Sequence, residues 1–117
     1  MHHHGIGKLL RVLVGESDKV DHRPLFEAIV RTAKERGLAG ATVLRGVEGF
    51  GANSRYIHTA KILRLSEDLP VVIEIVDTEE KIKAFLPILD EVIGGGLITL
   101  EKVQVLQYGT DIKHDPA

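Results

Sequence analysis

The sequence contains no cysteine, which excludes disulfides, thiolate zinc sites and a cysteine nucleophile. A chain without thiols suits a reducing, cytoplasmic setting. Charge of one sign is also lacking. Fifteen Lys and Arg stand against 17 Asp and Glu, a formal net charge of −2, so no general attraction to nucleic acid or a membrane surface is expected. No apolar run approaches the roughly 20 residues of a membrane-spanning helix. Serine-hydrolase context is missing too, because neither Ser17 nor Ser54 sits in a Gly-x-Ser-x-Gly elbow. Acidic pairs such as Glu79-Glu80 are explained by helix capping and solvation. The chain is therefore expected not to be an enzyme. His22, His58 and His114 match no zinc spacing and none pairs at i,i+4 with another ligand, so no metal is required. Met1 to His4, followed by Gly5-Ile6-Gly7, reads as a tag remnant. It is set aside because its histidines would imitate a metal site.

What is present describes one globular domain. With 117 residues, 44% hydrophobic and 27% charged, the chain has enough for a single core but not two. The domain is expected over residues 8–109, with a polar, flexible tail at 110–117.

Taken in order, Leu9 to Val14 (LLRVLV) reads as a strand with apolar groups on both faces and one charge. Residues 15–21 form a polar break, and Pro24 suits the first turn of a helix. Leu25, Phe26, Ile29, Val30 and Ala33 then recur at helical spacing. A second strand opens near Gly40 and runs through Thr42, Val43, Leu44, Arg45 and Val47. Lys61 to Leu65 can resume as its hairpin partner. Val71 to Val76 (VVIEIV) is the strongest strand pattern, with Glu74 its only polar residue. Asp77 is placed to cap a second helix, with Glu80 in capping-box position. Ile82, Phe85, Leu86, Leu89, Val92 and Ile93 mark the buried stripe of that helix, which Pro87 is expected to kink. Gly94-Gly95-Gly96 ends it, and Leu97 to Tyr108 forms the last strand, bulged near Glu101-Lys102.

The order β-α-β-β-α-β is that of a ferredoxin-like α+β sandwich, with both helices on one face of the sheet. The other face is left uncovered. Leu9, Leu13, Val71, Ile73 and Ile75 cannot all lie under two helices, so a second copy of the chain is expected against that face.

Binding chemistry concentrates in residues 40–61. A strand runs into Gly49-Phe50-Gly51, where closely spaced glycines let the backbone turn or approach a ligand. Asn53, Ser54, Arg55, Tyr56, His58, Thr59 and Lys61 follow without clear period, as in a loop that binds from a rigid scaffold. Gly94 to Gly96 can present consecutive N–H groups to an anion. Arg45, Arg55, Lys61 and Lys102 are available cations.

With these pieces in place, the chain resembles the PII-like signalling proteins, relatives of the nitrogen-regulatory PII proteins, in a shorter-loop and largely uncharacterised group. The resemblance covers Leu9 to Gly109. It rests on Gly40-Ala41-Thr42-Val43, Gly49-Phe50-Gly51, Ile73-Glu74-Ile75-Val76 and Ile93-Gly94-Gly95-Gly96, in that order. It implies a homotrimer whose sheet faces are buried together, with an adenine nucleotide as effector in clefts between subunits. Thr42, Glu74 and Val76 would lie near the base, Gly49 and Gly51 at the root of a mobile loop, and Gly94 to Gly96 beside the phosphates. Arg55 and Lys102 would supply charge. Loop residues 51–61, with Asn53, Arg55, Tyr56, His58 and Lys61, would signal to a partner protein such as a transporter or enzyme. The cationic positions of PII proteins hold Leu97, Val105 and Gln107 here, and Ala52 and Asn53 follow Gly-Phe-Gly. ADP or AMP is therefore expected to be favoured over ATP. Two alternatives stand beside this reading: a trimeric metal-tolerance protein resembling the CutA group, and a structural trimer without ligand.

Overall fold

The sheet is built outward from its central strand, β1 (Gly5–Gly15), where apolar residues alternate onto both sides. The structure is a computed structural model that describes residues 5–50 and 69–107. After β1 come two short strands, β2 (Lys19–Val20) and β3 (Arg23–Pro24), then helix α1 (Leu25–Glu35) and β4 (Thr42–Arg45). β5 (Pro70–Asp77), helix α2 (Glu79–Val92) and β6 (Leu97–Val105) follow. The main sheet has the order β4-β5-β1-β6, antiparallel throughout. That is the split β-α-β order of the ferredoxin-like fold, in which each crossover skips one strand. The expected partner strand at Lys61 to Leu65 lies outside the described residues.

Alternation decides the core. Leu10, Val12 and Val14 of β1 stand opposite Ile75, Ile73 and Val71 of β5, and all six are buried. Leu25, Ile29 and Ala33 of α1 and Ile82, Phe85 and Leu89 of α2 close over them. Burying one such side chain contributes about 1.5–3 kcal/mol, so this single layer holds the fold together. Val71, Ile73 and Ile75 were expected among the residues left for a partner. They lie under the helices instead, because their parity matches Leu10 and Val12. The uncovered face carries the opposite parity. Leu9, Leu13 and Val72 are half-buried there, and Leu44, Val76 and Leu97 are exposed at 48%, 41% and 54%.

Other expectations are revised. β1 begins at Gly5 rather than Leu9, and Gly5, Ile6 and Gly7 pair with Val105, Gln104 and Val103. β6 carries no bulge: its register against β1 is unbroken from Leu97 to Val105. A bulge would throw Leu100 and Thr99 out of step with Leu10 and Arg11, which they face directly. The cap of α2 is Thr78, whose hydroxyl accepts from Lys81 N at 3.3 Å. Asp77 instead accepts from Thr78 N at 2.7 Å and from Ala39 N at 2.9 Å, clasping the start of α2 to the connection after α1. Pro87 lies within α2 on an exposed position, where the carbonyl it leaves without a donor can reach water. The polar break after β1 is also ordered. Asp18 accepts from Gly15 N at 2.8 Å, and its carbonyl accepts from Leu25 N at 2.7 Å. Asp21 and His22 turn the small β2–β3 hairpin with φ of 50° and 66°.

Candidate functional site

Gly49 and the Gly94–Gly96 turn, from the two glycine segments singled out in the sequence, lie at one end of the sheet, where β1 finishes and β5 starts. Glu16 N donates to Leu69 O at 2.8 Å and Gly46 N to Pro70 O at 2.7 Å. Arg45 of β4 forms an ion pair with Glu16. These contacts fasten the points where the chain leaves the sheet after β4 and rejoins it at β5. A Cβ on Gly46 would stand 2.8 Å from Pro70 Cγ, so the two segments pack as closely as glycine allows.

The turn between α2 and β6 sits at the same end. Gly96 has φ of 115°, and a Cβ there would lie 2.5 Å from Leu13 O. Only glycine serves at that position. A shallow pocket of about 180 Å³ opens beside the turn, lined by Asp90, Ile93, Gly94, Gly95, Gly96 and Ile98.

The two glycine segments share an end of the sheet but not an edge. β4 is at one edge and β6 at the other, with β5 and β1 between them. Three strand spacings separate them by about 14 Å. One chain therefore does not bring Gly46–Gly49 and Gly94–Gly96 together.

On the uncovered face, Thr42, Glu74 and Arg11 form a row across three strands. Arg11 Nε donates to Glu74 Oε2 at 2.9 Å, and Arg11 Nη1 donates to Glu101 Oε1 at 2.9 Å. The hydrogen bond that Arg11 donates to Glu74, with the charges of both carboxylates, raises the Arg11 pKa above its ordinary value. Glu74 is thus held rather than loose, and Val76 follows it on the same face. Arg11 and Glu101 were not among the residues selected from the sequence. The signal was the single charge in the apolar run LLRVLV, which in a sheet calls for an acidic neighbour across the strands.

Lys102 is placed differently. It faces Lys8 across β1 and β6, which puts it on the helix-covered side, away from Glu74. It also lies five residues along β6 from Leu97, about 17 Å at strand rise, so it does not reach the glycine turn of its own chain. Gly51, Asn53, Arg55, Tyr56, His58 and Lys61 lie outside the described residues. Among the described residues, no group of three or more His, Asp or Glu side chains could hold a metal ion.

The family model DUF190, described as "Uncharacterized ACR, COG1993", matches residues 7–105. A UPF0166 protein of Aquifex aeolicus is 46% identical over 101 residues, covering 85% of this chain and 92% of that one. Among solved structures, a protein of Thermus thermophilus described as a putative PII-like signaling protein superimposes with a TM-score of 0.60. It is 20% identical, with 87% of this chain and 91% of that chain covered. The structure of CPII from Thiomonas intermedia K12, bound to ADP and bicarbonate, gives a TM-score of 0.56 at 16% identity. It covers 90% of this chain and 91% of that chain. These structural likenesses establish the fold.

Proposed function

The chain belongs to the DUF190 family and has a PII-like ferredoxin fold, and from that premise we propose that it is a nucleotide-sensing regulator rather than an enzyme. It assembles as a homotrimer through its uncovered sheet face. An adenine nucleotide, ADP or AMP in preference to ATP, binds in the clefts between subunits. Loop residues 51–61 pass the ligand state to a partner protein.

One observation carries this reading. Two segments suited to close backbone approach lie at the same end of the sheet but on opposite edges. A neighbouring copy that sets its β4 edge beside the β6 edge of the first would join them into one cleft. Thr42, Glu74 and Val76 would border that cleft on one side, and Gly94 to Gly96 on the other. Lys102 enters only from a neighbour, since within its own chain it points to the other side of the sheet. The ADP bound by CPII is of the chemical class expected here.

The test is calorimetry on the untagged protein with AMP, ADP and ATP, paired with a thermal-shift screen that includes divalent metals. A ligand that favours the folded state raises the melting midpoint. The expected result is saturable heat with ADP and AMP. No heat from any adenine nucleotide at millimolar concentration sinks the proposal, and a metal-only shift favours the CutA-like alternative. Gly96→Val tests the cleft, since a side chain there must displace the Leu13 carbonyl.

A further inference from the structure

The charges of the open sheet face do not balance. The cations of the main sheet are Lys8, Arg11, Arg45 and Lys102. Lys8 pairs with Glu79 of α2, and Lys102 faces Lys8 across the strands. Arg45 stands opposite the buried Val71 and pairs with Glu16. All three belong to the helix-covered side. The acid Asp77 lies there too, opposite Lys8. Only Arg11 is a cation on the open side, and it serves two carboxylates, Glu74 of β5 and Glu101 of β6. Thr42 and Leu44 of β4 bring no charge, and both helices pack on the other face. Among the described residues of the sheet, the open face therefore carries one positive and two negative charges.

In a separated chain, water makes up the difference. The Glu101 side chain is 56% exposed and that of Glu74 30%. Assembly through this face removes that water, since Leu9, Leu13, Val72 and Val76 surround the cluster with apolar area. A neighbouring copy cannot supply the missing cation from the same face. Being identical, it brings the same deficit, and each added copy adds one more unmatched carboxylate. A carboxylate withdrawn from water without a cation of its own favours its neutral form.

We propose that closure of this face is linked to protons: the Glu74–Glu101 pair of each chain takes up one proton as the copies come together. The two carboxylates share Arg11 and so titrate as a pair. The assembled state then binds more protons than the separated chains, and the association constant falls as pH rises. The protein assembles more tightly in acid and comes apart more readily in base. This inference rests on the assembly part of the reading above and needs no nucleotide.

The experiment is sedimentation of the untagged protein over a dilution series between about pH 5.5 and about pH 8 at fixed ionic strength, for wild type, Glu101→Gln and Arg11→Met. Glu101 is exposed on an edge strand, and circular dichroism checks that each variant keeps the fold. For three chains taking up one proton each, the concentration at half-assembly should rise by up to about 30-fold per pH unit in wild type. Glu101→Gln leaves Arg11 matched to Glu74 alone and should flatten that dependence. Arg11→Met leaves both carboxylates unmatched and should steepen it. An assembly that forms but ignores pH overturns this inference and leaves the assembly reading standing. So does a dependence that persists unchanged in Glu101→Gln. Tightening by added sodium or magnesium at fixed ionic strength, with no effect of pH, assigns the missing charge to a bound cation and overturns the proton. A wild type that stays monomeric at every pH and concentration removes the assembly reading and this inference together.

Discussion

The two faces of the sheet are made from the same strands and differ in almost everything else. The covered face is built on Leu10, Val12, Val14, Val71, Ile73 and Ile75, packed with Phe85 and other apolar residues of the two helices. The open face alternates Leu9, Leu13, Leu44, Val72 and Val76 with the Arg11–Glu74–Glu101 ion pairs. The first arrangement maximises burial and specifies little beyond shape. The second combines apolar area with a charged centre, as interfaces do when they must close in one register. Stability resides on one face and the proposed assembly on the other, and substitutions on each should separate the two properties.

The largest effect is expected from the covered face. Phe85→Ala should lower the unfolding free energy by about 3–5 kcal/mol, the range for an emptied aromatic site. Chemical denaturation measures it, and a loss below about 1 kcal/mol would mean the core collapses freely around the gap.

Next comes the open face. Val72→Asp places a carboxylate amid apolar neighbours that a second copy would cover, and an unpaired desolvated charge is costly. The variant should sediment as a monomer with a near-native circular dichroism spectrum. A trimer that survives Val72→Asp would show that this face is not the contact surface. Val71→Asp, one residue away but under the helices, should unfold the chain instead, which contrasts the two faces within a single dipeptide.

The smallest and most discriminating effect belongs to Arg11→Met. It leaves Glu74 and Glu101 facing each other without their shared cation. In the separated chain both carboxylates reach water and the melting midpoint should barely move, because exposed ion pairs contribute little. In the assembly they would be covered, so the concentration needed for trimer formation should rise. Equal behaviour of variant and wild type on dilution would remove Arg11 from the assembly mechanism.

Much of this architecture is legible in the sequence. The apolar patterns of LLRVLV and VVIEIV identify β1 and β5, and helical spacing identifies the stripes of α1 and α2, because burial imposes those periods. Parity is not legible when a strand is apolar on both sides. Nothing local in VVIEIV tells Val71 from Val72. The choice is made by the register against β1, a contact between residues far apart in sequence. The same limit applies at the site. The glycines of 46–49 and 94–96 are visible as glycines, but that they share one end of the sheet and occupy opposite edges is a property of strand order. Lys102 looked close to Gly96 in sequence and is carried away by strand rise and pleat. The shift of the cap from Asp77 to Thr78 is a one-residue ambiguity that Asp-Thr sequences invite, both side chains being competent acceptors.

Asp77 has a consequence of its own. One of its carboxylate oxygens holds Thr78 N and the other holds Ala39 N, across 38 residues of chain. Lys81 Nζ reinforces the link by donating to Gly37 O at 3.1 Å. The end of α1 and the beginning of α2 are thereby joined as a single cooperative unit of local opening. Neither helix terminus can fray without loosening the other. A disturbance that breaks the Asp77 bonds at the start of α2 would also release the connection between α1 and β4, the strand that precedes the segment proposed to carry the signal.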